Sequence, residues 1–351
     1  MQNGKALEYA SEDLKNDKEL VLKAVRKNGL ALRYASGYLK NDKDLVLEVV
    51  AQNGKALEYA SEDLKNNKEV VLTAVLQDGQ ALMFASEDLK NDKGVVLTAI
   101  GNSAFAFYFA NEGLKDDVEV VLKAVTKSGR LLESVSPWFQ NDKEVVLAAV
   151  LQNGQALKFA SNALKNDAKF MLAAISIYGE GIQKASNTLK NDAEFMLAAN
   201  SINNQAIKYA SHLLKGYREF ICKAIEQNSR AFEFASYDIK NDPDLVLRAV
   251  NINPFVLKYV NSLNLKNNYD IIAAAASQFG ITLQYASNEL QGNVGIVTTA
   301  VSSNGLALQY ANQDLKANKE IVIAAVRSNP LAIDFADKRL QEDPDVLAAA
   351  L

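Results

Sequence analysis

The chain holds one histidine, His212, and one cysteine, Cys222, among its 351 residues. This scarcity excludes a disulfide framework, a c-type haem attachment and a metal site built from His and Cys, and it leaves His212 without evident partners for a Ser-His-Asp triad. The two also stand ten residues apart on different expected helices, which disfavours a Cys/His nucleophile pair. With 5 prolines and 49% hydrophobic residues the chain is neither disordered nor collagen-like. Positive charge is not in excess: 38 basic residues face 42 acidic ones, so neither nucleic acid nor an anionic membrane is favoured as a partner. Long apolar runs are missing too. None reaches about 18 residues, and Gln2, Asn3, Gly4 and Lys5 follow Met1 where a signal core would stand. We therefore expect no membrane insertion and no classical export, and the lone Cys222 fits a reducing, cytoplasmic compartment. No Gly-rich phosphate loop, paired-carboxylate motif or His-Glu-x-x-His string occurs, so no catalytic residue, cofactor or metal ligand is assigned and an enzyme is not expected.

What the chain does have is a period. Residues recur every 25 positions through fourteen repeats that start near 1, 26, 51, 76, 101, 126, 151, 176, 201, 226, 251, 277, 302 and 327, with a one-residue insertion around Asn261 to Lys266. The mark is an Asn-Gly dipeptide whose asparagine column runs from Asn3, Asn28 and Asn53 to Asn329. No linker interrupts the pattern, so the expectation is a single continuous domain over residues 1–351.

Within a repeat, residues 5–15 place Ala6, Leu7, Tyr9, Ala10 and Leu14 on one arc and Lys5, Glu8, Glu12 and Lys15 on the other, which predicts an amphipathic helix of about three turns. Asn16, tolerant of a left-handed helix end, and Asp17, a good N-cap, then precede a second helix over roughly Lys18–Lys27. Its wider apolar arc of Leu20, Val21, Leu22, Ala24 and Val25 predicts deeper burial. Asn28-Gly29 should end it with the glycine in the left-handed position. Helices this short are marginal alone, so each hairpin must bury its faces on its neighbours. The fold class that follows is all-α, an α-solenoid of about fourteen 25-residue helix-turn-helix repeats with its handedness left open.

The recurrent string Asn-Gly-x-Ala-Leu-x-Tyr/Phe-Ala-Ser-x-x-Leu-Lys-Asn-Asp-Lys-Glu-Val-Val-Leu-x-Ala-Val, clearest in Asn53–Val75 and Asn153–Ile175, resembles the tandem repeat of the domain of unknown function 4116 family. Such arrays occur in protists and in secreted effectors of intracellular bacterial pathogens. The resemblance thus implies a non-catalytic scaffold, translocated into a host cytosol without a classical signal peptide, and it carries no site residues over. Ser134 and Lys184 in the aromatic column, and Asn200 in an apolar one, depart from the pattern.

Reading the repeats as columns separates packing from candidate function. An aromatic column, from Tyr9, Tyr34, Tyr59, Phe84 and Phe109 to Phe335, fills twelve of fourteen places. Free exchange of Tyr and Phe at the edge of the apolar arc favours packing between repeats over a ladder for stacking bases. A lysine column from Lys15 to Lys316 and an acidic one from Glu19 to Asp345 sit at helix ends where the macrodipoles favour them, so a phosphate track is not expected. The place of Glu8 mixes signs from Arg33 to Asp334, as a solvated face does.

Against this background Met83, Phe105 and Tyr108 are apolar where polarity is expected, and Trp138 follows beside Pro137. Exposed aromatic clusters typify interface anchors, so these four are the candidate partner-binding residues and a protein is the expected partner. An RNA-binding array and an architectural spacer are the alternatives, and local repacking around Ser134, Pro137 and Phe139 is the competing account of the patch. Tyr178, Lys184 and Asn200 bring polar groups to packing positions of the eighth repeat, a polar irregularity that predicts a bend or a small cleft. The first repeat opens on a near-consensus helix and the chain stops in the apolar run Ala348–Leu351. We expect a fragment of a longer array, with end-to-end self-association as the alternative.

Overall fold

The computed structural model describes residues 4–351, and Asn3, the first asparagine of its column, lies outside the described residues. Among the described residues the chain is all-α, without strand. It divides into two compact units, Met1–Lys184 and Ala185–Leu351, each a solenoid of stacked helical repeats. The boundary falls within the eighth repeat.

Each repeat has three helical pieces where two were expected. The third repeat is representative: a 3-10 helix Gly54–Tyr59, a one-turn α-helix Glu62–Lys65 and a ten-residue α-helix Lys68–Gln77. The long helix matches the expectation, with Asn67 capping it and Val70, Val71, Ala74 and Val75 all 0% exposed. The three-turn first helix is not formed. It breaks at Ala60-Ser61, both in extended backbone, where the backbone donor that would continue a helix goes elsewhere. Ser61 N–H donates to the Lys40 carbonyl of the preceding repeat at 2.9 Å, and Ser61 Oγ restarts the helix by accepting from Leu64 N–H at 3.3 Å. The serine hydroxyl also donates to Asn41 Oδ1 of the preceding repeat at 2.5 Å. The same pair of ties recurs at Ser36, Ser86, Ser161, Ser211 and Ser287.

The Asn-Gly corner also differs from expectation, since no described residue, glycine included, has positive φ. Asn53 is extended; its N–H donates to the Val49 carbonyl at 2.9 Å and its Oδ1 accepts from Lys55 N–H at 3.1 Å, so it ends the long helix Lys43–Gln52 as expected and starts the 3-10 helix without a left-handed glycine. The asparagine after the short helix, such as Asn66, has φ −98° and is not left-handed either. Space is what demands glycine. A Cβ on Gly54 would lie 2.4 Å from the Ala74 carbonyl oxygen of the long helix that follows, and one on Gly280 would lie 2.0 Å from that of Ala300. Gly54 N–H donates to Gln77 Oε1 at 2.6 Å across the same gap.

An ion-pair ladder runs along the start of the long helices. Lys68 reaches Asp92 at 2.6 Å, Lys143 reaches Asp167 at 2.6 Å, and Lys93 holds both Asp117 at 2.9 Å and Glu119 at 2.8 Å. In the second unit Lys319 meets Asp343 at 3.0 Å and Arg218 meets Asp242. Each of these aspartates is also the N-cap of its own helix. The cation of the preceding repeat, followed by the capped backbone N–H, holds the carboxyls of Asp92 and Asp167 below the usual range. The lysine likewise depresses Asp117 and Asp343.

Two tests follow from this packing. Gly54→Ala is expected to lower stability by roughly 1–3 kcal/mol, the usual cost of forcing an extra methyl into filled space. Ala104→Gly, in the same column where an alanine is already accommodated, should cost about 1 kcal/mol or less. Equal shifts of the two urea midpoints would mean that the close approach is not what selects glycine. For the ladder, depressed folded pKa values give stability that is fully present above the unfolded value of about 3.9 and is lost as pH falls through the folded values. The urea midpoint should therefore be flat from about pH 8 to 5 and fall below about pH 4. Asp92→Asn with Asp167→Asn keeps a capping oxygen, as Asn67 shows by accepting from Val70 N–H at 3.2 Å, and should make that fall shallower. An unchanged fall would place the acid sensitivity in other groups.

Candidate interaction site

The variable edge of each repeat is made by its 3-10 helix, in which residues three apart eclipse one another. Buried Ala56 and Leu57 fix one side of it and leave Lys55 and Glu58 outward. In the four repeats that follow, those two outward places hold Gln80 and Met83, Phe105 and Tyr108, Arg130 and Glu133, and Gln155 and Lys158. The rings of Phe105 and Tyr108 stack with centroids 6.3 Å apart and planes 20° from parallel, over the buried Phe107, which meets Tyr108 edge-on. Phe105 is 56% exposed, Tyr108 45%, Met83 44% and Trp138 84%, so all four are accessible side chains.

The four do not form one cluster of rings. Met83 holds the place of Tyr108 one repeat earlier, whereas Trp138 stands on the one-turn helix Pro137–Gln140, and no ring contact joins it to the pair among the described residues. It shares its column with Tyr38 and Leu213, which are exposed as well.

Tyr108 has a structural partner that explains half of its irregularity. Its hydroxyl lies 2.9 Å from Ser134 Oγ. At the corresponding places of the first two repeats the order is reversed, Tyr34 Oη donating to Glu8 Oε2 at 2.8 Å. The aromatic ring and its polar partner have changed sides across the repeat boundary, so Tyr108 and Ser134 depart from the pattern as a contacting pair. Phe105 has no such compensation.

The other columns serve packing. The aromatic column is half-buried from Tyr34 onward, and several of its faces carry cations: Arg33 over Tyr34 at 5.0 Å, Lys158 over Phe159 at 4.4 Å and Lys258 over Tyr259 at 4.5 Å. The lysine column turns inward. Where the residue three before is glutamate the lysine pairs with it, as Lys65 does with Glu62 at 2.9 Å. Where that residue is Asn162 or His212, Lys165 and Lys215 bend back to the carbonyls of Lys158 and Lys208 at 2.7 and 2.6 Å. Burial pushes the ammonium groups of Lys40, Lys165, Lys215 and Lys240 below their ordinary range.

In the eighth repeat the Tyr178 ring covers Gly154, and its hydroxyl accepts from Gln155 Nε2 at 2.6 Å and donates to Glu180 at 3.1 Å. Lys184, half-buried, is the last residue of the first unit and lies close enough to Lys165 to disfavour a second charge there. In the second unit Asn200 is 1% exposed, its Nδ2 donating to Gln227 Oε1 at 3.0 Å while Oδ1 has no partner. His212 is exposed, and Cys222 is buried with its thiol pushed up by that burial, which leaves it protonated and a poor nucleophile. Among the described residues no group of three or more His, Cys, Asp or Glu is placed to hold a metal ion, and no helix is long and apolar enough to cross a membrane.

The family model described as a domain of unknown function (DUF4116) matches residues 1–40, 17–65, 42–90, 67–115, 117–165, 167–215, 217–263 and 293–341. The chain belongs to this family. Most of the matched segments take in about two of the 25-residue repeats, so the family's unit is a pair of the units seen here. No match was found among curated proteins or among solved structures.

Exchange of the paired residues tests their coupling. Tyr108→Glu and Ser134→Tyr should each destabilise alone, while the double variant recreates the Glu8 and Tyr34 arrangement and should recover roughly 0.5–2 kcal/mol relative to the sum. Strictly additive urea midpoints would show that the two columns do not sense each other.

Proposed function

We propose that the protein is a non-catalytic scaffold for protein–protein interaction, and that the edge around Phe105 is where a partner is held. The observation that carries this reading is the stacked, exposed Phe105 and Tyr108 pair with Met83 beside it, on an outward face that charged or amide side chains occupy in the repeats on either side. Tyr108 is accounted for by Ser134, but nothing in the packing calls for an exposed phenyl ring at residue 105. Aromatic anchors on a rigid element are the usual centre of a protein interface. The inward-turned lysine column and the half-buried aromatic column, some of whose rings lie under cations, supply neither a free row of charges nor a row of bare rings, which weighs against nucleic acid. The resemblance to repeat arrays of secreted effectors supports a host protein as the partner and a host cytosol as the place of action.

Met83→Glu and Phe105→Gln install the residues found in the same columns at Glu58 and Gln80, so the fold should tolerate them. The double variant should retain at least about tenfold less of its protein partner from nuclease-treated eukaryotic lysate at high salt, since a lost interface anchor costs about 1.4 kcal/mol or more. Retention equal to that of the unaltered protein would remove the edge from the interface.

A further inference from the structure

Beyond the aromatic pair, on the same edge of the first unit, a cavity of about 260 Å³ opens between the sixth and seventh repeats. Arg130, Asn153, Gln155, Ala156, Lys158 and Phe159 line it. Two cations border this space and no carboxylate does. Comparison with the same columns elsewhere shows how that imbalance arises. Lys55 occupies the place of Arg130 three repeats earlier and is answered by Asp78, 3.8 Å away in the next repeat. The residue that would answer Arg130 is Asn153, which carries no charge. Arg230, again in this column, pairs with Glu233 three residues on at 3.1 Å. Arg130 makes no such pair with Glu133, and neither Arg130 nor Lys158 has an ion-pair partner among the described residues. Lys158 lies over the Phe159 ring, and Lys165, donating to the Lys158 carbonyl, stands close to Lys184, so positive charge accumulates on this stretch. Glu133 and Glu180 are the acidic side chains of the neighbouring outward places.

We propose that this cavity receives the carboxylate of an acidic side chain from the same protein segment whose apolar residue rests on Phe105 and Tyr108; the inference rests on the scaffold reading and specifies the chemistry of its partner. Charge complementarity selects the occupant. A guanidinium and an ammonium facing one small cavity fit a carboxylate that accepts from both. A nucleic acid would need such cations in a row along the array, and here they are confined to one place. The spacing suits an extended chain: neighbouring repeats stand about 9–10 Å apart, which an extended segment spans in about three residues. Phe105, Arg130 and Lys158 belong to three successive repeats, so the apolar residue and the acidic one should be about three to six positions apart.

The probes are two fluorescein-labelled twelve-residue peptides, one with a single Leu followed three and six residues later by Glu, the other with both Glu replaced by Gln, and a twelve-nucleotide oligo-U. The full chain should bind the acidic peptide at least about tenfold more tightly than its Gln twin, a difference of about 1.4 kcal/mol. Arg130→Gln with Lys158→Gln, residues found in these columns at Gln155 and Gln183, should abolish that preference. Phe105→Gln should weaken both peptides alike. Equal affinity for the twins, a preference that survives Arg130→Gln with Lys158→Gln, or no binding of the acidic peptide at about 1 mM overturns the inference. So does a loss in that variant confined to oligo-U. If the twins bind equally but both weaken in Phe105→Gln, the scaffold reading stands and only the acidic subsite falls; if Phe105→Gln changes neither, the scaffold reading falls with its edge.

Discussion

A serine that faces two repeats at once sets the stacking within each unit. Its N–H and its hydroxyl both donate backward, to a lysine carbonyl and an asparagine side chain, while the hydroxyl oxygen accepts forward from the helix it starts. Serine is short enough to do all three without leaving extended backbone, and the consequence spreads to its neighbours. Its N–H goes to the preceding repeat and not to a helical carbonyl, and the chain forms a 3-10 helix before it and restarts after it; the same break occurs at Ser136 and Ser262 without that tie. The 3-10 helix in turn brings glycines such as Gly54, Gly79, Gly129, Gly280 and Gly305 against the next long helix, where a carbonyl oxygen leaves no room for a Cβ. Each unit is thus stitched by backbone and short polar groups on one side and packed by Val, Leu and Ala on the other.

Much of this was legible in the residues and some of it was not. The period, the ten-residue helix, its cap at the Asp17 column and its deeper burial follow from spacing alone, because 3.6-residue periodicity over a long apolar run has few other solutions. The first helix was misread because residues 5–15 have the right apolar arc; only the Ser11 column, a cap in the middle of that arc, signals the break. Glycine after asparagine suggested a left-handed corner, yet its role is steric and depends on a carbonyl about 20 residues away, which no local rule reveals. The ladder from the Lys18 column to the Asp17 column of the next repeat was overlooked for the same reason. At the candidate site, Phe105, Tyr108 and Met83 were visible as breaks in a column. The exchange between Tyr108 and Ser134 could have been found by asking which columns break 26 residues apart. The cavity at Arg130 could have been found by noting that Asn153 stands where Asp78 stood.

The arrangement separates what must stay constant from what can change. Columns that stitch or pack are held to one or two residue types, whereas the outward places of the 3-10 helix carry Lys, Gln, Phe, Arg and Glu in turn without disturbing the buried Ala and Leu beside them. The surface chemistry of that edge can therefore vary one repeat at a time. Asn200, like Thr282, is a polar group inside a packing column; its amide nitrogen is answered by Gln227 at the end of the next long helix, Arg218–Gln227. Only that neighbour supplies the acceptor for the Asn200 Nδ2, so the pair discriminates against any other helix taking its place.

The serine tie also governs how the chain finds its structure. The polar links between repeats close over 20 to 28 residues, from the serine–asparagine ties at the short end to the amide contacts of Gln227 and Gln278 at the long end. Contact order is therefore low throughout, and the entropy of closing each link is small and nearly the same along the chain. No repeat waits on a distant one. Folding can nucleate in any adjacent pair of near-consensus repeats and propagate to either side, and it slows wherever a link is absent from the pattern.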